Sequence, residues 1–282
     1  MGTTTIGVIG AGTMGSGIAH VSALAGFSTI MVDVDTAMLE KGMSSIDANL
    51  HRQAVKLELD ETGIRDVIAR ITAADSLDAL RECSVIIEAV IEKADVKKQL
   101  FADLSLLTDS ECILATNTST ISVTEIAGAS SYPERVIGMH FMNPAPVMEL
   151  VEVVRGLQTS DAVYRTIMDL ASKMGKIPVA VNDSPGFVSN RILMPMINEA
   201  IFVLQEGVAD VEAIDTVMKL GMNHPMGPLR LADFIGLDVC LFIMEVLLRD
   251  MGDAKYRPAP LLKRMVSAGY LGKKTKRGFY LY

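Results

Sequence analysis

The residue types that could do chemistry centre on His140. It stands in Val136-Ile137-Gly138-Met139-His140-Phe141-Met142-Asn143-Pro144-Ala145-Pro146, an apolar run that ends in a polar, proline-rich corner. A second apolar run, Met148-Glu149-Leu150-Val151-Glu152-Val153-Val154, follows and carries Glu152. Histidine titrates near neutrality, and a carboxylate that accepts from one ring nitrogen fixes its tautomer and stabilises its cation. A histidine at a strand end with an acid on the next strand is therefore the arrangement of a general acid and base. The competing reading is a satisfied core histidine, because a match of residue types alone is only a hypothesis. Ser119 is a second candidate. It lies in Asn117-Thr118-Ser119-Thr120, after the apolar run Cys112-Ile113-Leu114-Ala115-Thr116, where the C-terminal end of a strand borders ligand in open α/β sheets. Helix capping is the alternative for Ser119 and for Ser122. Asn190 opens a long apolar helix after Asp183-Ser184-Pro185-Gly186-Phe187-Val188-Ser189. Its place in the first turns aims it back toward the first half of the chain or leaves it as a polar surface residue.

These residues need a scaffold, and the first 33 residues supply its signature. A β-prone run, Thr4 to Ile9, leads into Gly10-Ala11-Gly12-Thr13-Met14-Gly15 and a helical pattern of small and apolar residues. A second strand, Ser28 to Val32, ends at Asp33, 18 residues beyond Gly15. Strand, G-x-G-x-x-G, helix, strand and acid in this order predict a dinucleotide-binding fold. The glycines allow a tight turn, close approach of a pyrophosphate and close helix packing, and the helix N-terminus offers free N–H groups to phosphate. Asp33 would accept from ribose hydroxyls and repel a 2′-phosphate, so NAD is favoured over NADP. Residues 36–70 read as mostly helical and longer than one crossover requires, which predicts a helical excursion. Arg52 and Lys56 are four apart on one face there, either to grip a phosphate-bearing substrate or as a solvated basic face. The near-continuous apolar run Val85 to Val90 predicts a buried parallel strand, with helix to follow from Val96 to Leu104.

Past the His140 region an amphipathic helix spans Thr159 to Met174 and a short strand Lys176 to Val181. Strand patterns then vanish, and helices are predicted at about 190–205, 211–219, 228–234, 237–249 and 260–268. The fold class is thus α/β, a Rossmann-type doubly wound sheet over residues 1–184 followed by an all-α domain over 185–282. The broad apolar faces of the helical part exceed what its own core needs, which predicts a homodimer. The tail Gly272-Lys273-Lys274-Thr275-Lys276-Arg277-Gly278-Phe279-Tyr280 either returns toward cofactor phosphates or is a solvated end.

Composition bounds the function. The chain has 282 residues, half of them hydrophobic, and a formal net charge of −8. That balance argues against nucleic acid as a partner. Cys83, Cys112 and Cys240 are too widely spaced for a disulfide framework or a metal site and fit a reducing compartment. Neither an export signal near Met1 nor a run of about 20 apolar residues is visible, so a soluble cytoplasmic protein is expected.

The motifs together resemble the L-3-hydroxyacyl-CoA dehydrogenase family, most nearly its bacterial short-chain branch, the 3-hydroxybutyryl-CoA dehydrogenases. The similarity spans the chain through Ile9 to Gly15, Asn117-Thr118-Ser119, His140-Phe141-Met142-Asn143-Pro144, Asp183 to Arg191 and Lys274 to Tyr280. The Pro-Gly-Phe-Val-x-Asn-Arg element is far more specific than the glycine motif. The resemblance implies Ser119, His140, Glu152 and Asn190 as active-site residues, Ser119 and Asn190 also binding substrate. It implies NAD contacts from Gly10, Ala11, Gly12, Thr13, Met14, Gly15, Asp33, Glu92, Lys97, Ser119, Asn143 and Lys274, and a coenzyme A contact from Lys56. No metal is implied. The expected reaction interconverts (S)-3-hydroxybutyryl-CoA and acetoacetyl-CoA. Three other readings remain: a dehydrogenase of free hydroxy acids, where the related family relies on a lysine; a sugar-acid dehydrogenase; and a non-catalytic NAD-binding protein.

Overall fold

The computed structural model describes residues 4–282; Met1, Gly2 and Thr3, part of the stretch expected to lack an export signal, lie outside the described residues. Two compact units result, one running to Asp183 and the other from Ser184 to Tyr282.

The first unit is built on one sheet. Its strands are β1 (Thr5–Ile9), β2 (Ser28–Val32), β3 (Ile71–Ala74), β4 (Val85–Glu88), β5 (Ile113–Thr116), β6 (Val136–Phe141), β7 (Leu150–Arg155) and β8 (Ile177–Asn182). They lie in the order β3-β2-β1-β4-β5-β6-β7-β8. Neighbours from β3 through β6 are parallel, β6 and β7 are antiparallel, and β7 and β8 are parallel. The first six in this order reproduce the doubly wound dinucleotide fold, whose winding reverses between β1 and β4. β4 and β5 are buried throughout, as strands covered on both faces must be.

Six helices connect these strands: α1 (Thr13–Leu24), α2 (Thr36–Leu57), α3 (Glu61–Ala69), α4 (Ala94–Leu107), α5 (Val123–Ala127) and α6 (Asp161–Lys173). The predicted excursion over 36–70 is α2 plus α3, each started by an aspartate side chain that accepts a backbone N–H, Asp35 from Ala37 and Asp60 from Gly63. One apolar cluster joins the sheet to these helices through Ile6, Val8, Ile18, Ile46, Leu50 and Ile64. Burying each such side chain is worth about 1.5–3 kcal/mol. β3 was not anticipated. It has four residues in the burial pattern buried, exposed, exposed, intermediate, too short and too open for alternation to reveal it.

The second unit is helical, as the sequence predicts: α7 (Ser189–Gln205), α8 (Val211–Thr216), α9 (Pro228–Ile235), α10 (Leu237–Met251) and α11 (Pro260–Ser267). Ile197, Ile201, Leu229, Leu237, Met244, Leu247 and Leu262 close its core. The helix expected to run from 211 to 219 gives way at Val217 to a π-helical turn over Val217–Gly221. The tail is anchored at its end, while its basic stretch 273–277 is exposed. Asp233 of α9 accepts from the N–H groups of Phe279 and Tyr280, both at 2.9 Å. No helix among the described residues is long and apolar enough to cross a membrane.

Candidate active site

The cofactor-binding geometry starts at the end of β1. Gly10 has φ +98°, a conformation that costs other residues strain. A Cβ on Gly15 would fall on the Gly10 carbonyl oxygen, so α1 packs onto the turn only because that position is glycine. A Cβ on Gly12 would meet nothing within 4 Å, which leaves the backbone open to approach. Gly12 starts α1 without a side-chain cap, and the first turn holds no acid. Its N–H groups are therefore available to an anion. Asp33 ends β2 and partly faces solvent. Its Oδ2 accepts from Ala11 N–H at 2.7 Å and its Oδ1 from Asp35 N–H at 3.1 Å. The same acid that would meet a ribose thus also shapes the phosphate turn. Thr13 is exposed and Met14 half-buried beside it. This donor set and this open turn fit a dinucleotide.

His140 and Glu152 are direct register partners across the antiparallel β6–β7 pair. Side chains opposite one another in such a pair share a face about 4.5–5.5 Å apart at Cβ. The result is a hydrogen bond of 2.8 Å from His140 Nδ1 to Glu152 Oε2, with His140 5% and Glu152 2% exposed. A carboxylate oxygen only accepts, so Nδ1 carries the proton of the neutral ring and Nε2 keeps its lone pair. Ser119 Oγ lies 3.1 Å from that Nε2. Ser119, His140 and Glu152 are thereby joined in one hydrogen-bonded row across the ends of β5, β6 and β7. Ser122 does what capping predicts, accepting from Glu125 N–H at the start of α5; Ser119 does not.

The row is supported from both sides. Asn117 Oδ1 accepts from Phe141 N–H at 2.8 Å, extending the β5–β6 ladder one step past Thr116↔Gly138. On the other side Glu92 Oε1 accepts from Thr118 Oγ1, from the N–H groups of Ser119 (2.8 Å) and Thr120 (3.0 Å), and from Thr120 Oγ1 (3.0 Å). Burial alone would raise the Glu92 carboxyl, but Lys97 and these donors hold it below the usual range. Lys97 Nζ lies 3.3 Å from Glu92 Oε2 and donates to Glu88 Oε1. Lys97 is 1% exposed while the Glu92 side chain is 28% exposed. The surface this pair offers is Glu92's, and Lys97 stands behind it. Glu88 and Thr116 carry no role in the sequence reading, and Asn117 and Thr118 enter it only as neighbours of Ser119 in one motif. The available signal was an acid, Glu88, inside an apolar strand, since a buried charge demands a partner.

Asn143 is exposed three residues past His140. Its corner, which includes a cis Asn143–Pro144 peptide, is held by Lys176 Nζ through the carbonyls of Ala145 (2.6 Å) and Met148 (2.8 Å). Lys56 is exposed in the last turn of α2, and exposed Arg52 donates to Asn49 Oδ1 at 3.2 Å. In the second unit, Asn190 is the second residue of α7. Lys274 is paired with Asp238 of α10 at 2.6 Å.

Two family models cover the chain. That described as "3-hydroxyacyl-CoA dehydrogenase, NAD binding domain" matches residues 5–184, and that for the "3-hydroxyacyl-CoA dehydrogenase, C-terminal domain" matches residues 186–282. Among curated proteins, a 3-hydroxybutyryl-CoA dehydrogenase of Bradyrhizobium diazoefficiens is 53% identical over 277 residues, 98% of this chain and 94% of that protein. A probable 3-hydroxybutyryl-CoA dehydrogenase of Bacillus subtilis is 56% identical over 275 residues, 98% of this chain and 96% of that one. Among solved structures, an (S)-3-hydroxybutyryl-CoA dehydrogenase from Ralstonia eutropha superposes with a TM-score of 0.96 at 49% identity, covering 100% of this chain and 99% of the other.

Proposed function

The chain belongs to the NAD-dependent 3-hydroxyacyl-CoA dehydrogenase family, and we propose on that footing that it interconverts (S)-3-hydroxybutyryl-CoA and acetoacetyl-CoA, with His140 as its general acid and base. The observation that carries the residue roles is the row Ser119 Oγ, His140 Nε2, His140 Nδ1, Glu152 Oε2. The substrate is supported by curated relatives, matched over 94% and 96% of their own length, that bear this activity in their names.

Held by Gly10 to Gly15 and Asp33, NAD would supply the acceptor for the C3 hydride in oxidation and the hydride donor in reduction. His140 Nε2 accepts the proton of the 3-hydroxyl group as that hydride leaves. Glu152 holds the ring with Nε2 outward and offsets the imidazolium charge that results. In reduction the imidazolium returns the proton to the alkoxide oxygen. Ser119 Oγ–H, 3.1 Å from Nε2, is placed to donate to the substrate oxygen where charge develops. Asn190 is assigned a second donor role on the family resemblance. Gly10 to Gly15 would cradle the pyrophosphate, Asp33 and Glu92 would accept from ribose, and Asn143, Lys97, Lys274 and, for coenzyme A, Lys56 follow from the resemblance. The domain roles follow too: residues 1–184 bind NAD and residues 185–282 pair two copies. Exposed Ile192, Val217, Leu220, Met222, Phe234 and Phe242 on the second unit support a homodimer. Cysteines that are all free and buried accord with a cytoplasmic setting.

The test is NADH oxidation followed by absorbance, with acetoacetyl-CoA, with free acetoacetate, and with NADPH replacing NADH. Turnover is expected with NADH and the thioester only. Turnover with the free acid alone would transfer the chain to hydroxy-acid chemistry, and activity with NADPH equal to NADH would refute the reading of Asp33.

A further inference from the structure

Glu88 closes β4 and is completely buried. A lone buried carboxylate is strongly unfavourable, and this one has three donors: Lys97 Nζ, Val90 N–H at 2.7 Å and Thr116 Oγ1 at 2.7 Å. Lys97, on α4 and equally buried, lies between two acids, Glu88 and Glu92. Glu92 in turn gathers four donors from residues 118–120 on one oxygen. A second line runs alongside: the Thr118 N–H donates to Thr116 Oγ1 at 3.2 Å, and Thr116 donates to Glu88. Both lines fix the backbone on either side of Ser119, whose own side chain remains partly exposed and reaches His140 Nε2.

Packing does not require such a chain. Well-packed apolar residues of similar volume commonly match or exceed a buried ion pair in stability. Two acids and a lysine at this spot therefore call for a role in geometry, since reactions depend on placement to within about 1 Å.

We propose that Glu88 is a positioning residue of the reaction, acting through Lys97 and Glu92 and through Thr116 to hold the 118–120 backbone so that Ser119 Oγ stays directed at His140 and the substrate oxygen. The inference rests on the reading of Ser119 as a substrate-touching residue. It differs from that reading because Glu88 is buried and meets neither cofactor nor substrate.

The full chain is tested in a double-mutant cycle of Glu88→Gln, Ser119→Ala and both, with kcat and the KM for NADH and acetoacetyl-CoA measured for each. Glu88→Gln is expected to lower kcat about tenfold, to raise the KM for NADH as well because Lys97 and Glu92 are assigned to the cofactor, and to have no further effect on kcat once Ser119 is alanine. The same loss in both backgrounds, an effect confined to KM for NADH, or an unchanged kcat in the Ser119 background would each overturn the proposal while leaving Ser119 in place. Full turnover in Ser119→Ala would instead overturn the reading of Ser119, and the positioning role with it. Where Glu88→Gln fails to fold, Thr116→Val, which at nearly constant volume removes one donor to Glu88 together with the acceptor of the Thr118 N–H and so cuts the second line, goes through the same cycle and is decided by the same outcomes.

Discussion

Glu152 and Asp233 are buried to nearly the same degree, 2% and 1% exposed, in different units, and their surroundings differ in kind. Glu152 faces His140, the ring that the proposed reaction uses to accept and return a proton. Asp233 faces groups without such a use: the N–H groups of Phe279 and Tyr280 and the hydroxyl of Tyr282 at 3.2 Å. Its neighbour Asp215 repeats the pattern, accepting from Leu229 N–H, Arg230 N–H and Tyr280 Oη at 2.9, 3.0 and 2.8 Å. Burial followed by these acids pushes both tyrosine hydroxyls up, Tyr282 to about 12, so they remain donors across the working range. The Arg230 guanidinium also stacks on the Tyr280 ring, 4.1 Å from its centroid. The acids of the second unit tie the chain end to α9, whereas Glu152 closes a row whose outer member, Ser119, is partly exposed. Depth of burial does not separate the two roles. The identity of the donor does.

Kinetics should separate the two regions most sharply. His140→Ala is expected to lower turnover about 10²–10⁴-fold, the usual contribution of a general acid or base, with NADH binding followed by fluorescence nearly unchanged. A variant with full turnover would remove the histidine from the chemistry and erase the contrast with Asp233.

Glu152→Gln should have a smaller effect. A hydrogen bond to a charged group is worth about 1.5–3 kcal/mol, which at about 1.4 kcal/mol per decade gives roughly a 10–100-fold loss of kcat. The protein should remain folded by circular dichroism. A variant that kept its kcat but melted early would place Glu152 with Asp233, as an anchor.

The sequence made one of these regions legible and left the other open, for physical reasons. The glycine turn, α1, β2 and Asp33 are consecutive, and their order is itself the signal. His140 and Glu152 were readable as an apolar run, a corner and another apolar run. The antiparallel register that sets them opposite each other was not, because it depends on how the corner closes. Lys97 illustrates the limit better. By resemblance it reads as a cofactor contact, and its burial against Glu88 exists only once α4 folds back beside the end of β4. Asp215 and Asp233 carry no motif. Their partners in the tail lie 46 to 65 residues away in sequence, so the basic tail remained two readings until the fold supplied its anchor.

Asp233→Asn tests the structural side of the contrast, with the smallest expected effect. An amide in place of the carboxylate opposes at least one of the three donors, so stability should fall by about 1–3 kcal/mol, measured as a shift of the urea midpoint near neutral pH, with kcat unchanged. The pH dependence sharpens this. Burial raises the Asp233 carboxyl, while the N–H groups of Tyr280 and Phe279 and the Tyr282 hydroxyl only partly offset it. As pH rises past the ordinary aspartate value of about 4, the unfolded chain releases this proton first and the folded chain binds more. Stability then falls with rising pH until the raised folded value is passed. Relative to Asp233→Asn, the wild-type protein should therefore be most favoured in acid and lose part of that margin on the way to neutrality. A margin that stays flat over that range would mean the carboxyl is not raised. A fall in kcat at unchanged stability would mean that the tail anchor acts on the reaction, and the distinction drawn from donor identity would no longer hold.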